Sequence, residues 1–105
     1  MKRNSYFVSG TKNNFVRFIL SRKEEFLFDY RYYFTIELVK RGKVALVDSV
    51  SQGFSGTFTF LQLKDFIRKF RFRMIDFGES QKFIYEFDRF FGAVEDWNGE
   101  ISYNA

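Results

Sequence analysis

The 105-residue chain contains no cysteine, no histidine and no proline. Without cysteine there is neither a disulfide nor a thiolate metal site, so the fold neither needs nor reports an oxidising compartment. Without histidine the commonest general base and the usual zinc ligands are also missing, which removes most hydrolase, transferase and metalloenzyme templates. Carboxylates remain, but none is placed for acid–base work. Glu24 and Glu25 are adjacent and point apart, while Glu86 and Asp88 share a face only on a strand. Gly53-Phe54-Ser55-Gly56 lacks the Gly-Lys-Ser/Thr ending of a phosphate loop. The expectation is a protein that is not an enzyme and uses no cofactor and no metal. No run approaches the ~20 apolar residues of a membrane span, and the first ten residues hold no signal-peptide core. A cytoplasmic protein is expected.

What is present is an unusual apolar load. Apolar residues make up 46% of the chain and aromatic residues 23%, with 17 Phe carrying most of it. That argues against disorder, and the length fits one domain burying roughly 65% of the surface its unfolded chain exposes. The net charge of +4 is unevenly spread: residues 1–75 hold 15 Lys and Arg against 6 acids, and residues 76–105 hold 2 against 7. The two segments either meet in the fold or offer partners two different faces.

From Phe26 to Lys40 the even positions Phe26, Phe28, Tyr30, Tyr32, Phe34, Ile36 and Leu38 are all apolar or aromatic. That alternation predicts one long strand with a single apolar row. Lys40-Arg41-Gly42-Lys43 supplies a turn into a second run, Val44–Val50, and so an antiparallel hairpin. Further strands are predicted over Phe15–Leu20 and Phe54–Thr59, with an edge strand at Tyr6–Val8. Thr59 and Gln62 have the spacing of a capping box, and Leu63, Phe66, Ile67, Phe70 and Met74 follow at helical spacing, giving a helix over about 60–72. Beyond it, Phe70–Met74 also alternates like a strand. Phe83, Ile84, Phe87, Phe90 and Phe91 suit a helix ending at Gly92, and Asn98-Gly99 suits a hairpin turn flanked by Ala93-Val94 and Ile101. The fold class that results is α+β: a single domain, 1–105, with a largely antiparallel sheet and one or two helices packed on it.

Three groups of residues stand out as binding candidates. Glu95, Asp96, Trp97, Glu100 and Tyr103 join the only Trp to a ring of acids, the composition of an interface anchor steered toward a basic protein. Lys64, Arg68, Lys69, Arg71 and Arg73, interleaved with Phe70 and Phe72, suit phosphates and unpaired bases. Tyr30, Tyr32 and Tyr33 around Arg31 suit a stacking platform, although alternation sends Tyr30 and Tyr32 to the core.

In size, composition and the absence of any catalytic set, the chain resembles the small immunity proteins of bacterial contact-dependent inhibition and bacteriocin systems. That resemblance implies a non-enzymatic domain that covers a cognate toxin, with the acidic 93–103 segment as the surface for a basic nuclease; the net positive charge departs from the acidic balance common among nuclease inhibitors. A basic nucleic-acid-binding module and a subunit of an oligomer that buries its excess Phe are the other two readings. On the first, replacing Asp96 and Trp97 by Ala weakens partner binding in a domain that circular dichroism shows to be still folded; unchanged binding would remove this segment from the interface.

Overall fold

The computed structural model describes residues 2–94 and 100–103, with side chains described for 10–89 and 101–103. The chain runs β1 (Lys2–Gly10), β2 (Phe15–Phe26), β3 (Asp29–Lys40), β4 (Lys43–Gln52), β5 (Thr57–Thr59), α1 (Phe60–Phe77), α2 (Gln81–Val94) and β6 (Glu100–Ser102). The first four strands form an antiparallel sheet in chain order, and β5 and β6 form a separate ladder. This is an α+β fold, as the alternation and the capping pattern predict.

Strand side chains alternate between faces, so the even positions Val16, Phe18, Leu20, Phe34, Ile36 and Leu38 share one face. Against it pack Leu63, Ile67, Phe70 and Met74 of α1, Ile84 and Phe87 of α2, and Phe58 and Ile101 of the small ladder. The rings interlock around Phe34, whose centroid lies 5.5 Å from Phe18, 6.0 Å from Phe58 and 5.8 Å from Phe66. The opposite face of the sheet carries a polar lattice instead: Arg17 donates to Glu37 at 2.7 Å, the hydroxyls of Thr35 and Ser49 lie 2.9 Å apart, and Arg31 donates to Glu25 and Ser51.

Both helix starts are written in short-range chemistry. Thr59 accepts from the Gln62 amide and Gln62 reaches back to the Thr59 amide, completing the capping box. At the far end Gly78 adopts φ 102°, its amide and that of Glu79 return to the Met74 carbonyl, and the helix stops. Ser80 then accepts from the Phe83 amide to begin α2.

Several boundaries differ from the sequence pattern. The long strand begins at Asp29, because Leu27 and Phe28 turn the chain between β2 and β3 and leave Phe26 and Phe28 outside the apolar row. The run at Phe54–Thr59 is strand only from Thr57, since the Gln52 amide donates to the carbonyls of Ser55 and Thr57 and holds 53–56 as a loop. Helix α1 continues to Phe77, burying Phe70 and Met74 one turn apart and exposing Phe72. Helix α2 runs through Gly92 to Val94; Ala93 and Val94 are therefore helical and do not flank a hairpin, and β6 pairs with β5. The expected turn at 96–99 lies outside the described residues.

One ion pair joins the sheet to the helix corner. Lys40 Nζ sits 2.8 Å from Glu79 Oε1, whose side chain is only 5% exposed, and also lies over the Phe83 ring. Replacing Lys40 by Met strands a carboxylate shielded from water and is expected to cost about 2–3 kcal/mol, somewhat below a fully buried pair because Lys40 reaches solvent. The double replacement Lys40→Met, Glu79→Leu should recover most of that loss in urea unfolding; strictly additive costs would show that the two groups are not coupled.

Candidate functional site

The relative lengths of helix and strand determine which part of the sheet lies over the helices. Phe66 packs on Phe34 and Glu79 reaches Lys40, so α1 runs alongside β3 in the same direction. From Phe66 to its end at Phe77 the helix rises about 17 Å, and six strand residues rise about 20 Å, so the two run nearly level up to the cap before Glu79. Carried back to Phe60, the helix begins near the level of Tyr32 by the same rises, about 9 Å before Phe66. The β2–β3 hairpin continues past that level as an arm, and every residue from Lys23 to Asp29 is exposed.

The arm is built to a definite shape. Its ladder pairs Glu24 with Tyr30 and then Phe26 with Asp29, leaving Glu25 as a bulge. Arg31 ties the stem together, donating through Nε to Glu25 at 2.8 Å and through Nη1 to Ser51 at 3.1 Å. At the tip Phe28 has φ 66°, a left-handed conformation in which a bulky side chain is strained and Gly or Asn is the cheaper choice.

Phe26, Leu27 and Phe28 are 71–87% exposed, and so are Phe54, just after β4 ends opposite Tyr32, and Leu61, the second residue of α1. All five lie at the arm end of the molecule. The three at the hairpin tip, adjacent in sequence, expose on the order of 300–450 Å² of apolar surface, within the range of the largest patch an ordinary monomer carries.

Beneath the arm lies an aromatic shelf. The Arg22 guanidinium stands 4.2 Å from the centroid of Tyr30 and 5.4 Å from that of Tyr103, and Tyr103 meets Tyr32 edge-on at 5.9 Å. Gly56 lets the backbone close on these rings. A Cβ there would stand 3.2 Å from the Tyr32 ring and 3.3 Å from Tyr103 Cβ, and the Gly56 carbonyl accepts from the Tyr103 amide at 2.7 Å. Tyr103 Oη is shielded from solvent and has no hydrogen-bond partner among the described residues.

The residues singled out from sequence are distributed as follows. On α1, Lys64, Arg68 and Lys69 are exposed, with Arg68 3.8 Å from Asp65. Arg71 is held by two hydrogen bonds to Asp88 of α2, and Arg73 by Asp48 and the Val47 carbonyl of β4, while Phe70 is core. The basic group is thus divided between a solvated face and two internal clamps. Tyr103 belongs to the shelf and Glu100 pairs with Thr59 in the small ladder, whereas Glu95, Asp96 and Trp97 lie outside the described residues. Tyr30 and Tyr32 are half-buried on the shelf, and Tyr33 faces the polar side of the sheet. Glu86 and Asp88 fall on a helix, so they do not share a face. The arm tip escaped the sequence reading because Phe26-Leu27-Phe28 carries no Gly, Asn or Pro, the residues that announce a turn. The available signal was length: strands rarely exceed ten residues, and Phe15 to Lys40 read as strand almost throughout.

Among the described residues no group of acids is arranged to hold a metal ion, and no helix is long and apolar enough to cross a membrane. The chain matches no protein-family model, no curated protein and no solved structure.

The tip geometry makes a stability prediction. Phe28→Gly relieves the left-handed strain and removes an exposed ring, and is expected to raise stability by about 0.5–1 kcal/mol. Chemical denaturation reads this directly, and a marked loss would mean that the ring is packed rather than open.

Proposed function

We propose that this chain is a non-enzymatic protein-binding domain that docks its partner through the hairpin arm. The observation that carries the reading is Phe28: the most exposed large apolar residue of the described chain occupies a backbone position where it is also strained. Neither solubility nor stability is served by a Phe there, whereas strain and exposed apolar surface together are characteristic of binding sites. Phe26 and Leu27 adjoin it in the hairpin tip, Phe54 and Leu61 are exposed at the level where α1 begins, and aromatic anchors of this kind supply most of the energy at protein interfaces.

In its most concrete form the partner is a bacterial toxin and the domain its immunity protein, which rests on the likeness of size and composition and on the absence of a catalytic set. The nucleic-acid reading is supported less, because Arg71 and Arg73 are engaged by carboxylates and the arm itself carries Glu24, Glu25 and Asp29. An oligomer would use the same apolar end against a second copy.

A photo-crosslinking residue placed at Phe28, at Phe54 and, for comparison, at Ser49 on the polar face separates these readings in the native host. One protein captured at 28 and 54, not at 49, and whose toxicity the domain suppresses, is the expected result. Phe28→Gly should weaken that association at least about tenfold, the range of a hot-spot truncation. Capture of the chain itself would replace the toxin by an oligomer, and capture centred on Ser49 or on nucleic acid would overturn the arm.

A further inference from the structure

The aromatic shelf has a chemistry of its own. Arg17, Arg31, Arg68, Arg71 and Arg73 each face a carboxylate of this chain. Among the described residues Arg22, like Arg41 and Arg89, faces none, and it differs from those two in that its guanidinium is laid against Tyr30 and flanked by Tyr103. Stacking occupies the flat face of a guanidinium and leaves its N–H groups, which radiate in the plane, to bind an acceptor. It also fixes the side chain before a ligand arrives, so little freedom is lost on binding. Beside it, Tyr103 Oη is shielded from solvent and, among the described residues, has no hydrogen-bond partner, so the ring is placed by packing.

Resting on the arm as the docking element, the geometry points to the Arg22 shelf as a carboxylate-binding subsite that reads an acidic side chain of the partner protein set among apolar residues. The surroundings choose between anions. Beyond the shelf the same arm ends in Leu27 and Phe28, both exposed, which suit an apolar protein surface. Glu24, on the same strand face two residues on, and Glu25 and Asp29 nearby would repel the successive phosphates of a nucleic acid, while leaving room for a single carboxylate held by a fork of N–H donors.

The test uses the full chain labelled with nitrogen-15 and the Arg22 Nε–Hε resonance, assigned by its absence in Arg22→Lys. Three probes are titrated: acetyl-Leu-Glu-Leu-amide, the same peptide with Gln in place of Glu, and a ten-nucleotide oligothymidine. The Glu peptide is expected to shift Arg22 and to bind at least about tenfold more tightly than the Gln peptide, as a charge-assisted forked bond should. Arg22→Lys, which keeps the charge and loses the stacked fork, should weaken the Glu peptide at least about fivefold and leave the Gln peptide unchanged, the latter serving as the check that the variant is folded. Equal binding of the two peptides, no binding of the Glu peptide, or a shift of Arg22 by oligothymidine alone would overturn the subsite. A Glu peptide that shifts the Phe28 amide but not Arg22 would overturn it while leaving the arm as the docking element, and failure of the arm itself is read separately from the crosslinking at Phe28.

Discussion

The register between β2 and β3 is the constraint on which the rest of this molecule depends. From Phe15 opposite Val39 to Phe26 opposite Asp29, one ladder carries both the floor of the core and the arm beyond it. Because side chains alternate with a period of two, a slip by one residue would send Val16, Phe18, Leu20, Phe34, Ile36 and Leu38 to the solvent and bring Arg17 and Glu37 into the core. It would also move Arg22 and Tyr30 to opposite relations with the helices and dissolve the shelf. The hydrophobic contacts under the helices and the Arg17–Glu37 pair on the other face both favour the same alignment, so the position of the arm is set by residues far from it.

The uneven charge along the sequence finds its explanation in the tertiary structure. The basic first part and the acidic last part do meet: Arg71 with Asp88, and Lys40 with Glu79. These pairs join α2 to α1 and the helix corner to the end of β3. Charges that read from sequence as a ligand-binding face are therefore partly internal fasteners. Lys64, Arg68 and Lys69 remain as an ordinary solvated helix face.

How much of this was legible follows from which signals are local. The capping box at Thr59 and Gln62, the Arg41-Gly42 turn with both residues at positive φ, and the alternation from Tyr30 to Leu38 are short-range patterns, and each appears in the structure where the residues put it. The tail of α1 was ambiguous because Phe70-Arg71-Phe72-Arg73-Met74 satisfies both periods; burial of Phe70 and Met74 against the sheet decided for the helix. What could not be read was anything depending on the meeting of distant segments. Tyr103 joining Arg22, or Leu61, Phe54 and Phe28 opening at one end, requires the sheet order and the helix direction to be known first. The tip failed for a different reason: a turn made of Leu and Phe has no turn chemistry, and a Phe in the left-handed region violates the local rule that sequence reading relies on.

That violation is informative when set beside the other positive-φ positions. Gly42 and Gly78, at positions that require positive φ, are glycines, and the arm's stem is braced by Arg31, by a bulge at Glu25 and by the stacked Arg22. Arg41, the other non-glycine at positive φ among the described residues, carries a flexible side chain beside Gly42 in a tight turn, whereas Phe28 places a bulky ring at the tip of a braced arm. Rigid presentation lowers the entropy lost on association, so a small number of anchors suffices. The stem and the tip therefore act as one device: the register of β2 and β3 sets its direction, the bulge and Arg31 its shape, and Phe26, Leu27 and Phe28 its chemistry.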